Sequence, residues 1–169
     1  MTKKKINWGI IGLGRIANLF AKDLKLIPEA NLVAVASTSM ERANNFAASF
    51  DCEKAYSSYN ELFKDPNVDI VYIATLHHTH CNLSIAAMEH QKHVLCEKPI
   101  AISKVEAKRM IQASIANNVF FMEAFWSRFN PSISKIKKLV STGEIGKLRY
   151  VNAEFSFYKL DDNPLDRSL

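Results

Sequence analysis

Long apolar runs, internal repeats and paired cysteines are all lacking in this sequence, and each absence excludes a class of protein. No apolar run approaches the roughly 20 residues that span a bilayer, and the start, Met1 to Lys5, lacks a signal-peptide core. Cys52, Cys81 and Cys96 are odd in number and lack CxxC spacing, so reduced structural thiols are expected instead of disulfides or a zinc site. We therefore predict a cytoplasmic protein without a membrane partner.

The composition that remains is that of a globular chain with a basic charge. Hydrophobic residues make up 48% and charged residues 23% of the 169 residues. This length allows one full domain with about 40 to 50 residues left over. The net charge of +5 suits an anionic ligand. The lysines are dispersed apart from two short clusters, Lys3 to Lys5 and Lys135, Lys137 and Lys138. Both clusters are expected to be solvated surface, so no nucleic-acid partner is expected.

Short β-prone runs alternate with helical patterns along most of the chain. Strands are predicted at Ile6 to Ile11, Leu32 to Ser37, Ile70 to Ala74, His93 to Cys96 and Val119 to Glu123. This alternation is typical of βαβ units whose parallel sheet is covered by helices on both faces. The predicted fold class is therefore α/β, with a doubly wound Rossmann sheet.

The segments between the strands repeat apolar residues at helical spacing, and local chemistry sets their ends. The stripes predicted to face the sheet are Ile16, Leu19, Phe20, Leu24 and Ile27 in the first helix and Val105, Ala107, Met110, Ile111, Ser114 and Ile115 in a later one. Ser103 and Glu106 form a capping-box pattern at the start of the later helix. Asn117 can end that helix, and Asn130 followed by proline caps another.

The pattern changes near residue 122, where the strand and helix alternation gives way to an aromatic stretch. An amphipathic helix ending near Gly143 and one long β-prone run, Leu148 to Tyr158, follow this stretch. A lone strand with one buried face is unstable without partners. We therefore predict a Rossmann domain over residues 1–121 and the incomplete start of an α+β substrate or dimerisation domain over residues 122–169.

A glycine-rich turn follows the first predicted strand and opens the first predicted helix. Its sequence, Gly12-Leu13-Gly14-Arg15-Ile16-Ala17, matches the G-x-G-x-x-G/A dinucleotide fingerprint in the required context. Gly12 permits the tight turn, and Gly14 lets the backbone approach a pyrophosphate that rests on the helix amino terminus. In the alternative interpretation, the glycines only shape a turn.

The position that selects between NAD and NADP lies after the second strand, about 20 residues beyond the fingerprint. It reads Ser37-Thr38-Ser39 and offers no carboxylate for a ribose 2′-hydroxyl. Hydroxyl groups and Arg42 suit a 2′-phosphate, so NADP is preferred over NAD. In the competing interpretation, Ser39 is simply a helix N-cap and Arg42 is a surface residue.

Two further polar segments follow strands, at the edge where open α/β sheets bind their ligands. Thr75 to His80 follows the Ile70 strand, and Glu97-Lys98-Pro99 follows the His93 strand. A lysine there can polarise a hydroxyl or carbonyl oxygen and help move the proton that accompanies hydride transfer. Taken alone, this Glu-Lys pair would more often be a surface ion pair. The histidines of the first segment lack a nearby cysteine or acidic ligand at helical spacing, so no metal site is predicted.

These motifs resemble the Gfo/Idh/MocA family of NAD(P)-dependent oxidoreductases over essentially the full chain. The likeness rests on Trp8 to Ala17, on Lys92 to Pro99 and on the spacing between them. Met122 to Pro131, followed by Gly143 to Gly146, resembles the branch that contains dimeric dihydrodiol dehydrogenases and D-xylose 1-dehydrogenases, whose members use NADP. The resemblance implies hydride transfer between a small carbohydrate, polyol or dihydrodiol and NADP or NAD.

The resemblance also implies roles for individual residues. Cofactor contacts would come from Gly12, Leu13, Gly14, Arg15, Ile16, Ser37, Thr38, Arg42, Thr75, Leu76, His77, His80, Glu97 and Lys98. Lys98, whose peptide bond to proline is often cis in the family, would be the catalytic residue that orients the substrate hydroxyl. Trp126 and Arg128 become candidates for the substrate pocket, although an aromatic stretch at a domain junction suits a core equally well.

The sequence departs from the family pattern at two points, one that concerns the cofactor and one that concerns turnover. Thr38 stands where NADP-using relatives often carry arginine, and the usual partner acid or base, commonly a tyrosine or histidine, is absent. We therefore expect cofactor binding with little or no turnover by this chain, and a homo-oligomer for the full-length protein. The competing hypotheses are a non-catalytic dinucleotide-binding module or sensor and, more weakly, a DNA-binding protein whose retention on DNA falls steeply with salt.

Overall fold

A parallel sheet forms the centre of the fold. The structure, a computed structural model, describes residues 5–154 and 156. Its strands are β1 (Ile6–Ile11), β2 (Ala30–Ala36), β3 (Lys54–Tyr56), β4 (Ile70–Ile73), β5 (His93–Cys96) and β6 (Phe121–Glu123). They are parallel and lie in the order β3-β2-β1-β4-β5-β6, which is the order of a doubly wound dinucleotide-binding sheet. The predicted fold class is confirmed.

Helices connect the strands, and two of them begin at the predicted caps. The α-helices are α1 (Arg15–Leu24), α2 (Met40–Phe50), α3 (Tyr59–Lys64), α4 (His80–Glu89), α5 (Lys104–Ala116) and α6 (Pro131–Ser141). The Ser103 hydroxyl accepts a hydrogen bond from the Glu106 N–H at 3.2 Å and caps α5. The Asn130 side chain accepts from the Ser132 N–H at 2.9 Å, and Pro131 is the first residue of α6. These capping predictions are confirmed.

Alternate residues of each strand point to opposite faces of the sheet, so the sheet carries two cores. On one face, Ile10 and Tyr72 pack with residues of α1 and α2. On the other face, Ile11, Ile73 and Cys96 pack with residues of α3, α4 and α5. Packing on both faces fixes the strand ends at which the predicted site residues lie.

The predicted buried stripe of α1 is wrong in part. Ala17 and Ala21 are fully buried, whereas Ile16 and Leu19 are 43% and 47% exposed. Small residues let the helix backbone approach the sheet closely, and the larger side chains beside them stay in solvent. The same correction applies to α5, where Met110 is buried and the exposed members of the predicted stripe are Val105, Ile111 and Ile115.

Two strand predictions also need correction. β3 is missing from the predicted strands, because three residues are too few to show an alternating pattern. The strand predicted over Leu148 to Tyr158 is not formed at 148–154 or at 156, the part of it that the structure describes, and its other positions lie outside the described residues. The physical reason is that the backbone groups of a lone strand have no neighbouring strand to pair with.

The chain divides into two compact units, Met1–Phe125 and Trp126–Leu169. The first unit contains the whole sheet, including its last strand residue, Glu123. The second unit contains a short 3-10 helix, Trp126–Phe129, and α6. Over the residues that the structure describes, no helix is both long enough and apolar enough to cross a membrane.

A buried carboxylate fixes the turn that leads into β4. Asp65 is 4% exposed and accepts hydrogen bonds from Lys54 Nζ at 2.9 Å and from the Tyr56 hydroxyl at 3.0 Å. The Asn67 N–H adds a third hydrogen bond at 2.9 Å. Burial alone would raise the pKa of Asp65, but these donors outweigh burial and lower the pKa. The buried Lys92 donates to the Asp65 carbonyl oxygen at 2.7 Å, so side chain and backbone are both anchored.

Candidate functional site

The carboxyl ends of β1, β2, β4 and β5 meet at one edge of the sheet, because all the strands are parallel. The loops and first helical turns that follow these ends contain every predicted cofactor residue, namely Gly12, Leu13, Gly14, Arg15, Ile16, Ser37, Thr38, Arg42, Thr75, Leu76, His77, His80, Glu97 and Lys98. Open α/β sheets bind ligands along this edge, where the strand order reverses. The structure therefore brings these residues to one edge of the first unit.

Two glycines shape the turn between β1 and α1 in different ways. Gly12 has a φ of +79°, and a Cβ atom there would lie 2.6 Å from both the Ala74 carbonyl carbon and the Thr75 nitrogen. The backbone after β4 thus excludes any side chain at this position. At Gly14, the N-cap of α1, a Cβ would have no atom within 4 Å beyond Gly14 and its two chain neighbours. The turn therefore has no room for a side chain at Gly12 and has space beside Gly14.

The amino terminus of α1 lies at this edge and has features that suit an anion. Its N-cap residue, Gly14, makes no side-chain capping bond, and no acidic residue lies in the first turn. The first backbone N–H groups of a helix have no partner within the helix and carry partial positive charge. Arg15 and Ile16 are exposed beside them, and Leu13 is half-buried. This arrangement suits the phosphates of a dinucleotide.

The loop after β2 combines buried and exposed polar groups. The hydroxyl of the buried Ser37 accepts a hydrogen bond from the Ser39 N–H at 3.3 Å. The Ser39 hydroxyl accepts from the Arg42 N–H at 3.3 Å, so Ser39 is the N-cap of α2. Thr38 and Arg42 are exposed, and the Arg42 charge opposes the rise that burial causes in the pKa of Tyr59. A hydroxyl group and a cation are therefore available to a ligand at this strand end.

A cleft of about 420 Å³ opens next to the same loop. Its lining includes Thr38 from the β2 loop, Tyr59 and Phe63 from α3, and Leu83 from α4. The lining is mostly apolar. Such a cleft suits the flat ring of a base better than a phosphate.

One buried histidine holds the loop after β4 to the loop after β5. His80 is 1% exposed, and its ring nitrogens lie 2.9 Å from the Pro99 carbonyl oxygen and 3.0 Å from the Thr75 carbonyl oxygen. Leu76 and His77 are exposed nearby. The structure thus places His80 beneath the edge as a bridge between two loops, whereas Leu76 and His77 line the surface itself.

The end of β5 presents a fixed carboxylate beside an exposed lysine. Glu97 Oε1 accepts a hydrogen bond from the Tyr72 hydroxyl at 2.6 Å, and Oε2 accepts from the Lys98 N–H at 3.1 Å. The Glu97 and Lys98 side chains, both in the described part of the chain, form no ion pair with each other. The Lys98-Pro99 peptide bond is cis, as the family resemblance implied. The ammonium group of Lys98 is therefore available at the surface of the edge.

Tyr72 is the site residue that the sequence reasoning missed. It is the third residue of β4 and is 1% exposed, so the sequence pattern identifies it only as part of a buried apolar strand. The available signal was the hydroxyl itself, because a buried tyrosine hydroxyl usually finds a hydrogen-bond partner. Burial, followed by the hydrogen bond to Glu97, raises the pKa of Tyr72, so the phenol stays protonated and donates.

The remaining predicted residues lie elsewhere in the chain. Trp126 and Arg128 are in the 3-10 helix of the second unit, where Trp126 is 61% exposed. Within residues 5–154 and 156, no group of three or more His, Cys, Asp or Glu side chains is arranged to hold a metal ion. All three cysteines are free and buried, and burial raises the pKa of Cys96 to about 12.

Known proteins resemble this chain in sequence and in fold. Residues 6–125 match the Gfo/Idh/MocA family, described as an oxidoreductase family with an NAD-binding Rossmann fold. A trans-1,2-dihydrobenzene-1,2-diol dehydrogenase of Xenopus laevis is 42% identical over 150 residues, which are 88% of this chain and 46% of that protein. The chain therefore spans less than half the length of this curated relative.

Two solved structures with bound ligands have a similar fold. A scyllo-inositol dehydrogenase of Lactobacillus casei, solved with NAD(H) and scyllo-inositol, has a TM-score of 0.79 at 28% identity over 85% of this chain and 43% of its own. A variant of a 3-ketoreductase of Actinomadura kijaniata, solved with TDP-benzene and NADP, has a TM-score of 0.80 at 28% identity over 86% and 45%. Both nicotinamide cofactors thus occur among the structural neighbours.

Proposed function

Because this chain belongs to the Gfo/Idh/MocA family of oxidoreductases, we propose that it binds a nicotinamide dinucleotide and positions it for hydride transfer. The observation that carries this proposal is the space above Gly14. There the amino terminus of α1 adjoins an opening, because a Cβ built on Gly14 would meet no atom within 4 Å beyond Gly14 and its two chain neighbours. The pyrophosphate would rest in this opening, on the backbone of Gly12 to Ile16.

The strand order supports a proposed position for each end of the cofactor. In a doubly wound sheet, each mononucleotide half of the ligand lies over one half of the sheet. The adenosine would lie beside Thr38 and Arg42 at the end of β2, with its base toward the apolar cleft at Tyr59. The nicotinamide would lie over β4 and β5, beside Thr75 to His80 and Glu97-Lys98.

NADP is the proposed cofactor, with NAD as the alternative. The β2 loop offers the exposed Thr38 hydroxyl and the Arg42 guanidinium, and no carboxylate lies between Ala36 and the Ser39 N-cap. Arginine forms charge-assisted hydrogen bonds with a phosphate, whereas an unphosphorylated ribose would gain little from this loop.

Arg42→Ala is expected to weaken NADPH binding about tenfold or more and to change NADH binding less than about twofold. The substitution removes the guanidinium but keeps the α2 cap, because the Ser39 hydroxyl bonds to the backbone N–H of residue 42. Arg109→Ala, which removes an exposed arginine from α5, is the matched control. Calorimetric titration of each variant measures both affinities. Equal losses for NADPH and NADH, or no loss, would contradict a 2′-phosphate contact at Arg42.

Lys98 is the proposed catalytic residue. Its exposed side chain follows β5, over the half of the sheet assigned to the nicotinamide. When bound, the cofactor supplies the hydride acceptor. Lys98 would hold the oxygen of the substrate carbinol and assist the departure of its proton. The dehydrogenase relatives favour a sugar, polyol or dihydrodiol as substrate, and Trp126 and Arg128 are the proposed pocket residues.

The two units have different roles in the proposed enzyme. We assign the first unit to the cofactor and the second, with Trp126 and Arg128, to a substrate or dimerisation domain. On the same ground, we propose a homo-oligomer for the full-length protein. The free, buried state of the three cysteines supports a location in the reducing cytoplasm.

The 169-residue chain is expected to bind dinucleotide with at most trace turnover, because the partner acid or base typical of the family is not among the assigned residues. A panel of polyols and dihydrodiols, with NADPH absorbance as the readout, measures this activity. Any trace is expected to fall to background in Lys98→Met while NADP binding is retained. Turnover that survives Lys98→Met unchanged would remove Lys98 from the reaction, and robust turnover by the wild-type chain would contradict the need for a further acid or base.

A further inference from the structure

One buried hydrogen bond connects β4 to the residue that follows β5. The ring of Tyr72 stacks on Phe20, with ring centroids 3.8 Å apart. The Tyr72 hydroxyl donates to Glu97 Oε1 at 2.6 Å. Because the stack holds the ring and the hydrogen bond directs the hydroxyl, the core sets the position of the Glu97 carboxylate.

The Glu97 carboxylate is engaged at both oxygens. Oε1 accepts from Tyr72, and Oε2 accepts from the Lys98 N–H at 3.1 Å. An ionised carboxylate is an acceptor only, and both partners are donors that suit this form. Burial keeps the phenol of Tyr72 protonated by raising its pKa, so this donor persists across the physiological pH range. The result is a negative charge with a fixed orientation.

This negative charge lies at the part of the edge that the proposed function assigns to the nicotinamide. Glu97 is the first residue after β5 and is half-buried. The oxidised nicotinamide ring carries a positive charge, and the reduced ring is neutral. A carboxylate held near the ring therefore attracts the oxidised form, more strongly in a partly desolvated site than in bulk water. A mobile carboxylate in solvent would be screened.

We propose that Tyr72 is a positioning residue that aims the Glu97 carboxylate at the nicotinamide and thereby raises the affinity for the oxidised cofactor relative to the reduced one. This inference rests on the proposed function, since it requires a nicotinamide at this edge. Tyr72 is buried and acts only through Glu97. Without its hydroxyl, the carboxylate keeps one anchor, the Lys98 N–H, and turns toward solvent.

Tyr72→Phe is the direct test, because it removes the hydroxyl and keeps the stack on Phe20. Tyr56→Phe is the matched control. It removes another tyrosine hydroxyl that donates to a carboxylate, that of Asp65, in the turn leading into β4. Affinities for NADP+ and NADPH are measured by calorimetry on the 169-residue chain, or for NAD+ and NADH if the chain prefers them. Thermal unfolding shows whether each variant is folded.

Tyr72→Phe is expected to weaken binding of the oxidised cofactor about five- to tenfold and of the reduced cofactor less than about twofold. Tyr56→Phe is expected to leave the ratio of the two affinities unchanged. If the Tyr72 hydroxyl had only a structural role, its loss would weaken the binding of both cofactor forms equally. The ratio of the affinities is therefore the readout that separates positioning from stability.

An unchanged ratio in Tyr72→Phe, with both forms bound by the wild type, would overturn the positioning role and leave the proposed function intact. Failure of the wild-type chain to bind either form would overturn the proposed function and this inference with it. If Tyr72→Phe does not fold, Glu97→Gln decides the question. It removes the charge and keeps an acceptor for the Tyr72 hydroxyl, so the same selective loss is expected and an unchanged ratio would refute the proposal.

Discussion

Gly12→Ala is expected to lower the free energy of unfolding by about 3 kcal/mol or more and to abolish dinucleotide binding. The φ of Gly12 is +79°, a conformation that costs an L side chain about 1–2 kcal/mol. The new methyl group would also lie 2.6 Å from the Ala74 carbonyl carbon and the Thr75 nitrogen. These are backbone atoms and cannot rotate away, so the turn after β1 and the loop after β4 must separate.

Gly14→Ala is the matched control, two residues away in the same turn. Its φ is −88°, and its Cβ would meet no atom within 4 Å. We expect the free energy of unfolding to stay within about 0.5 kcal/mol of the wild-type value. Dinucleotide affinity is expected to fall about tenfold or more, because the methyl group occupies the space assigned to the pyrophosphate. Urea unfolding and calorimetric titration measure the two effects. Unimpaired binding by Gly14→Ala would contradict the assigned site.

Asp65→Asn is expected to cost about 2–4 kcal/mol of stability, although Asp65 lies outside the proposed site. The carboxylate is 4% exposed and accepts hydrogen bonds from Lys54, Tyr56 and Asn67. An amide group removes the charge that pairs with Lys54 and places an NH₂ donor where an acceptor is needed. Asp51→Asn is the control, because Asp51 pairs with Lys25 at 2.8 Å on the surface and its loss is expected to have no measurable effect.

The stability contributed by Asp65 depends on pH in a direction that its lowered pKa determines. The folded state binds the Asp65 proton less tightly than the unfolded chain, whose pKa is near 3.8. The contribution is therefore complete above about pH 4 and is lost as the pH falls through the lower pKa of the folded state. Urea unfolding at several pH values is expected to show a difference between wild type and Asp65→Asn that shrinks toward acid. A difference that grows toward acid would contradict the lowered pKa.

Most strands and most helix starts were predictable because local chemistry and burial agree. β4 and β5 are short apolar runs that pair with parallel neighbours, which is why the continuous pattern identified them. The caps at Ser103 and Asn130 require only residues within three positions along the chain. The fingerprint at Gly12 was equally predictable, because its glycines follow a strand and precede a helix.

The parts of the site that were not predictable depend on contacts between distant segments. Tyr72 and Glu97 are 25 positions apart and become neighbours only because β4 pairs with β5. His80 was predicted as a cofactor contact, and its buried position depends on the carbonyl groups of Thr75 and Pro99. The exposure of Ile16 likewise follows from how closely the neighbouring alanine lets α1 approach the sheet.

We propose that the edge formed after β1, β2, β4 and β5 binds a nicotinamide dinucleotide. The most direct test is calorimetric titration of NADPH and NADH, separately, into the purified 169-residue chain. We predict saturable one-to-one binding of both, with NADPH bound more tightly because of Arg42. Tighter NADH binding would keep the site and overturn the phosphate contact. If the chain binds neither dinucleotide, although a cooperative unfolding transition shows that it is folded, the proposal is contradicted.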